Sequence, residues 1–517
     1  MLGEVIRRQG LVATMPDGVE LAADAWLPPG GGTWPVLLQR VPYGRHAPST
    51  SVLPHPVHLA RAGYAVVTQD SRGRGDSGGR FDPFTDEAAD GEASIAWAAG
   101  LDFCDGRVAT YGFSYPGMAQ LLAAARRPPA LWAIAPAQCA AGPYEGWTYH
   151  GGCLGLSFAA PWASRLAGHG PGGTAPPVDL EALPLRGALG GEPPRWWTEW
   201  LDHPQPGPWW DERTADVGAV EVPAFVVGGW HDQFATATCG LVTALGAEAV
   251  LGPWQHTPWG SRIGDHELGP DAGPATAHAA LVAFLDRVLK GHGEPPAARV
   301  RYYTGGAGWR EAPAWPPPGV ALRRWSATSG GHANSRHGDG RLVPGEAAPG
   351  PYDLIAAEPL RPVPAGLDPL SDESAVEDRR DVLCYSSEPL GGDLVVTGQP
   401  VVTAVVAADV ATHDLIATLT MVEPGGRPIR LATGARRRRG VSPGDLSPAT
   451  IDLSPISWRI PAGHRLRLDV SASRFPAFDR NPQNWAVAAH RADPGDCRVA
   501  VVEIHAARLE LPVEDEG

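Results

Sequence analysis

An α/β fold with a separate all-β C-terminal domain is predicted by three observations in this sequence. Short β-rich apolar runs alternate with helical patterns over residues 35–136 and again from residue 224, the rhythm of a mostly parallel sheet wrapped by helices. Between residues 142 and 221 that rhythm gives way to a stretch rich in Trp, Gly and Pro with helical fragments such as 194–201, which reads as an inserted cap. After Trp315-Pro316-Pro317-Pro318 come many short alternating runs with turn signals and little helix, the pattern of an antiparallel β-sandwich, expected here as a jelly roll.

At 517 residues the chain exceeds what one hydrophobic core organises. The expected division is an α/β core in two parts, 1–141 and 221–317, a helical cap at 142–220 and the jelly roll at 318–517. The core strands are predicted at 36–38, 64–68, 108–111, 224–227 and 249–251. Helices are predicted at 54–62, 86–99, 118–126, 235–245 and 277–289.

Composition prunes the chemistry. A net charge of −15 argues against nucleic acid or an anionic membrane, both of which need a basic face, and favours a neutral or weakly cationic substrate. No run reaches the roughly 18 apolar residues of a membrane helix, and residues 1–30 lack the apolar core of a signal peptide; a cytoplasmic protein is expected. The six cysteines are scattered without a C-x-x-C pair and read as unpaired thiols. Lys290 is the only lysine, which removes Schiff-base, phosphate-loop and Ser-Lys chemistries. It closes an amphipathic helix before Gly291, where a cation suits the helix C-terminus.

The chemistry-bearing residues sit just after predicted strands. The strand at 107–111 runs into Gly112-Phe113-Ser114-Tyr115-Pro116-Gly117 and then a helical run. A serine on such a tight strand-to-helix turn has its hydroxyl pushed out at the carboxyl end of the sheet, although Pro116 takes the place of the usual second glycine of G-x-S-x-G. Serine needs a base to take its proton and a carboxylate to hold that base. The strand at 224–227 delivers Gly228-Gly229-Trp230-His231-Asp232, and the strand at 249–251 delivers Gly252-Pro253-Trp254-Gln255-His256. Both loops emerge at the edge where Ser114 stands, in the order Ser, Asp, His of an α/β-hydrolase. His256 is favoured over His231 as the base because it occupies the last strand end. Asp232 as a mere helix cap is the lesser reading.

Negative charge on an attacked carbonyl needs preplaced donors. The Tyr115 backbone N–H is the first. After the strand at 36–38, Arg40-Val41-Pro42-Tyr43-Gly44 offers the Tyr43 hydroxyl as the second. Gly73-Arg74-Gly75-Asp76-Ser77-Gly78 fits G-x-G-x-x-G, but Phe81-Asp82-Pro83 follows instead of a helix, so it reads as a loop and not a dinucleotide site. His55 and His58 read as a surface pair, and Arg436 to Arg439 as a strand or turn with a solvated face.

On Arg40 to Gly44, Asp70-Ser71-Arg72-Gly73, the Ser114-Tyr115 elbow, Gly229 to Asp232, Gly252 to His256, Leu289-Lys290-Gly291 and Phe475-Pro476-Ala477-Phe478-Asp479-Arg480-Asn481-Pro482, the sequence resembles the bacterial cocaine esterase and X-prolyl dipeptidyl peptidase family of α/β-hydrolases, whose relatives include α-amino acid ester hydrolases and glutaryl acylases. The resemblance spans nearly the whole chain. It implies a cap between the core halves, a C-terminal jelly roll, oxyanion donors at Tyr43 and Tyr115, and substrate walls at Trp147 and Phe234. It implies no metal or organic cofactor. A serine hydrolase cleaving a small-molecule ester or amide through an acyl-enzyme is expected. The alternatives are an X-prolyl dipeptidyl aminopeptidase, an α-amino acid ester hydrolase or acyltransferase and, least favoured, a non-catalytic binding protein. Neither composition nor motif decides between a monomer and a homo-oligomer.

Overall fold

The computed structural model describes residues 4–46, 52–170, 172–348, 350–366 and 368–514. Its first layer is a ten-stranded sheet. The seven central strands are parallel and run, in spatial order, Ala65–Asp70, Trp34–Val41, Cys104–Phe113, Leu131–Ala137, Phe225–His231, Glu248–Gln255 and Val300–Thr304. Antiparallel strands close both edges: Ile6–Thr14 and Glu20–Leu27 on one side, Gly308–Ala312 on the other. Every strand foreseen in the core is present, most of them longer at both ends.

Side chains alternate between faces, and the two faces bury different helices. Val36, Leu38 and Val108 join a core with helices Glu87–Ala99, Tyr115–Ala124 and Ala235–Leu245. Leu37, Ala109 and Tyr111 instead meet helices Pro56–Arg61 and Ala275–Lys290 on the opposite face. Lys290 ends the second of these as expected. Its ammonium donates to the Ala62 carbonyl (2.6 Å) and to Asp286 (2.8 Å), and lies 3.7 Å from the centre of the Tyr64 ring.

Between Leu131–Ala137 and Phe225–His231 the chain leaves the sheet to form helices Leu156–Gly168 and Arg195–Asp202 with short connecting pieces. Their tryptophans, including Trp147, Trp162, Trp197, Trp200 and Trp210, are buried in the same apolar cluster as the first sheet face. This explains the local density of Trp: few helical residues are available to cover a wide surface, and indole buries the most area per residue.

The C-terminal unit is β-rich, a curled twelve-stranded sheet with near-exclusive antiparallel pairing around its own core. Gly305, just after the last parallel strand, exchanges backbone hydrogen bonds with Ser457 and Arg459 and so locks this unit to the α/β sheet.

One expectation is corrected here. Arg436 to Arg439 lie on the strand Pro428–Arg439, but Arg437 is turned inward and buried. It donates to both oxygens of Asp414 (2.7 and 2.7 Å) and to Asp479 (2.8 Å). Asp479 in turn accepts from the Leu154 N–H of the cap (2.8 Å), and the Arg437 N–H donates to the Gly151 carbonyl (2.8 Å). Solvation fails as a description because the cap covers this part of the strand. Arg437→Ala strands two buried carboxylates and is expected to cost about 3 to 5 kcal/mol, read as a lower guanidinium unfolding midpoint.

Acid should weaken the fold through its buried histidines. Burial lowers His413 to about 4, and both its ring nitrogens lack partners; burial likewise lowers His150 to about 4. An unfolded histidine titrates near 6.5, so between those values the unfolded chain binds more protons. The stabilisation is complete above about pH 6.5 and is lost as pH falls towards 4. Thermal midpoints are expected to drop across that window, and less steeply in His413→Met.

Candidate functional site

Three strands of four adjacent ones deliver the site, with Leu131–Ala137 lying between the first and the second. Phe113 pairs with Ala137, Ala137 with Val227, and His231 with Gln255. The residues that follow, Ser114, Asp232 and His256, therefore leave the sheet at one carboxyl edge.

Ser114 sits between the end of its strand and the helix Tyr115–Ala124, with φ 64° and ψ −122°. A positive φ is costly for a side-chain-bearing residue. It is held by the Ser114 N–H donating to Ala137 (2.9 Å) and by the Ser114 carbonyl accepting from Gly117 (2.8 Å) and Met118 (3.1 Å). Ser114 Oγ donates to His256 Nε2 at 3.1 Å, and His256 Nδ1 donates to Asp232 Oδ1 at 2.8 Å. The structure brings these three predicted residues into one hydrogen-bonded series.

The Asp232 carboxyl is wholly shielded from solvent; burial pushes it up, and the adjoining imidazole counteracts that push. The rival role as a helix cap is not adopted: Phe234, not Asp232, stands at the cap of Ala235–Leu245. His231, the rejected base, is half-buried with its Nε2 shielded and unpartnered, and desolvation lowers it to about 3. The His256 ring lies between Phe113 (4.5 Å between centroids) and the edge-on Phe234 (5.1 Å), which fixes its plane.

Tyr115 opens its helix, so its N–H has no helical carbonyl behind it and stays available to a ligand. Its phenol points elsewhere: it donates to Glu87 (2.9 Å), accepts from the Phe84 N–H (3.1 Å) and stacks on Phe84. Tyr43 stands on the loop after Trp34–Val41. Its hydroxyl accepts from Trp162 Nε1 at 3.0 Å, leaving its own proton free to donate. Burial pushes the Tyr43 phenol up, so it keeps that proton. A hydroxyl, an imidazole and a carboxylate in one hydrogen-bonded series, with the Tyr115 N–H next in the chain to the serine, are parts that can attack a carbonyl and receive the resulting oxyanion.

Trp147 and Phe234, expected as substrate walls, are both fully buried and stack on each other at 4.3 Å. Phe158 is more open; it packs edge-on to Phe234 and stacks on Trp162. A cavity of about 560 Å³ opens where core, cap and C-terminal unit meet. Its walls include Asp232, Gln233, Glu145, Arg436 and Asp452. Glu145 accepts from the Gly151 N–H (3.0 Å) and lies within the field of Arg436.

Sequence reasoning missed three supports. Trp162 orients Tyr43. Phe113 backs the imidazole. Gln138, at the end of Leu131–Ala137, donates to the Gln255 carbonyl (3.1 Å) and accepts from Trp259 (2.8 Å), tying down the loop that carries His256. Only Phe113 left a signal, as the residue before the serine. The six cysteines are unpaired, and among the described residues no cluster of His, Cys, Asp and Glu has metal-binding geometry. No helix among the described residues is long and apolar enough to cross a membrane.

Comparison with known proteins agrees with this architecture. Residues 17–258 match the X-Pro dipeptidyl-peptidase (S15 family), and residues 291–506 match the X-Pro dipeptidyl-peptidase C-terminal non-catalytic domain. The cocaine esterase of Rhodococcus sp. (strain MB1 Bresler) is 32% identical, the match covering 96% of this chain and 95% of that protein. Among solved structures, an aminopeptidase from a marine sediment Thaumarchaeota archaeon superposes with a TM-score of 0.87 at 24% identity, covering 99% of this chain and 97% of the other. An α-amino acid ester hydrolase does so with a TM-score of 0.85 at 22% identity over the same shares. The chain thus belongs to the X-Pro dipeptidyl-peptidase family, as a serine hydrolase with an α/β core and a C-terminal β domain.

Proposed function

We propose that this hydrolase cleaves small-molecule carboxylic esters through an acyl-enzyme on Ser114. The observation that carries the reading is the unbroken relay from Asp232 through His256 to Ser114, at 2.8 and 3.1 Å. His256 takes the hydroxyl proton as Ser114 attacks. Asp232, buried against it, stabilises the imidazolium and holds its tautomer. The Tyr43 hydroxyl and the Tyr115 N–H receive the oxyanion. His256 then protonates the departing alcohol, and water, deprotonated by the same imidazole, releases the acid. The 32% identity to a cocaine esterase over nearly the full chain supports an ester as the scissile bond.

Phe158 and Trp162, with Trp147 and Phe234 behind them, form the aromatic wall in this reading. Residues 142–220 are the cap and 318–517 the C-terminal domain. Six unpaired thiols support a cytoplasmic setting.

Ser114→Ala is expected to abolish turnover of 4-nitrophenyl acyl esters and labelling by a fluorophosphonate probe, with an unchanged circular dichroism spectrum; retained turnover refutes the mechanism. Gly-Pro-4-nitroanilide is expected to be a poor substrate beside those esters. Tyr43→Phe is expected to lower kcat about 100- to 1,000-fold with a smaller change in KM. Trp162→Phe, which releases the Tyr43 hydroxyl from its anchor and puts a smaller ring in the buried aromatic cluster, is expected to lower kcat about tenfold.

A further inference from the structure

The glycine-rich loop after the strand Ala65–Asp70 has a purpose other than phosphate binding. Asp70 is completely buried and accepts from the Arg45 N–H (2.5 Å), Arg45 Nη1 (2.5 Å) and the Asp76 N–H (3.1 Å). Gly75, at φ 52°, passes so close to this carboxylate that a Cβ would overlap it, and Gly73, at φ 65°, is pressed equally hard against the backbone of Phe81. The loop is wound around one carboxylate, and the residue between the two glycines, Arg74, is turned into the protein.

Arg74 is 2% exposed, with its guanidinium 3.5 Å above the centre of the Phe81 ring and 5.9 Å from that of Trp196. Six other arginines are buried, Arg40, Arg45, Arg430, Arg437, Arg467 and Arg474, and each has a carboxylate partner. Arg74 has none among the described residues, and its Nε and Nη2 have no hydrogen-bond partner. A Cβ on Gly170 would stand 3.3 Å from Nη1, so the glycine there leaves that end of the fork uncrowded. The groups in its field are the phenols of Tyr43 and Tyr115. Arg165 adds positive charge near Tyr43, while His169, packed edge-on against the Tyr43 ring, is lowered by burial and by Arg165 and Arg74 and stays neutral at neutral pH. Burial lowers Arg74 to about 10, which leaves it a cation at neutral pH.

A buried, preoriented guanidinium with no counter-charge is costly to keep and matches a carboxylate geometrically. It is joined to the site at one remove: the Phe81 ring beneath it is 6.1 Å from that of Tyr115, and Gly170 beside its Nη1 follows His169, whose ring is 5.4 Å from that of Tyr43. We propose that Arg74 binds a carboxylate of the substrate, so that the preferred esters are anionic, with the carboxylate within reach of the scissile carbonyl. The inference rests on the reading of Ser114 and Tyr43 given above and names the substrate class of that site. It opposes what the net charge of −15 suggests, because a buried local cation outweighs distant, screened surface charge. The same cation repels the ammonium group of a dipeptidyl substrate.

The test pairs neutral and anionic esters on the full chain, corrected for spontaneous hydrolysis. In the first pair, 4-nitrophenyl hexanoate against the 4-nitrophenyl monoester of adipic acid, the carboxylate is in the acyl part. In the second, phenyl acetate against 4-acetoxybenzoate, it is on the departing group. The wild type is expected to favour the anionic member of at least one pair by tenfold or more in kcat/KM, mostly through KM. That ratio should collapse towards one in Arg74→Gln and persist in part in Arg74→Lys. Equal ratios in wild type and Arg74→Gln, or no anionic preference in either pair, overturn the assignment. Should Arg74→Gln fail to label with fluorophosphonate, wild-type inhibition decides: adipate or 4-hydroxybenzoate must compete at least tenfold better than hexanamide or phenol, and equal competition overturns the proposal. Turnover surviving Ser114→Ala would remove the underlying mechanism, whereas a lost charge preference removes this inference alone.

Discussion

The structure depends on a strained serine. At φ 64° and ψ −122° Ser114 occupies backbone space that its own side chain disfavours, and that cost, about 1 to 3 kcal/mol for such positions, is met by parallel pairing on both sides. The strand before it is clamped between Trp34–Val41 and Leu131–Ala137. The helix after it is buried throughout. A relaxed turn would swing the hydroxyl away from His256, so the sheet, the helix and the cap that covers them all serve one torsion angle.

Around that point the protein builds by neighbouring strand ends. Gln138, Asp232 and His256 follow three successive parallel strands, and their side chains tie those ends together across the carboxyl edge. The cap contributes indole, as cover and as the donor that holds Tyr43. The C-terminal unit contributes rigidity from a distance, through Gly305 at one seam and Arg437 at another.

Much of this was legible in the sequence because strands announce themselves by apolar alternation and the reactive residues stand immediately after them. Ser114, Asp232 and His256 needed only strand ends and chain order. The elbow was readable despite Pro116, since Tyr115 and Pro116 occupy the first helical turn, where a missing N–H does no harm. What was not legible depends on tertiary approach. Arg437 looks like one of four solvated arginines until the cap is laid over its strand. Trp162 is 119 residues from Tyr43, and no local pattern joins an indole to a phenol at that separation. Arg74 was hidden by a motif that suggested phosphate, because glycine spacing reports close backbone approach without naming what is approached.

Lysine is nearly absent from this chain, and the one that remains is occupied. The Lys290 ammonium is shared among a carbonyl, a carboxylate and a tyrosine ring. Amines are the side chains that reactive acyl donors modify most readily outside an active site. A protein that handles acyl groups while carrying arginine in place of lysine offers those donors almost no side-chain amine, and guanidinium, protonated far above neutral pH, does not compete with the serine for them.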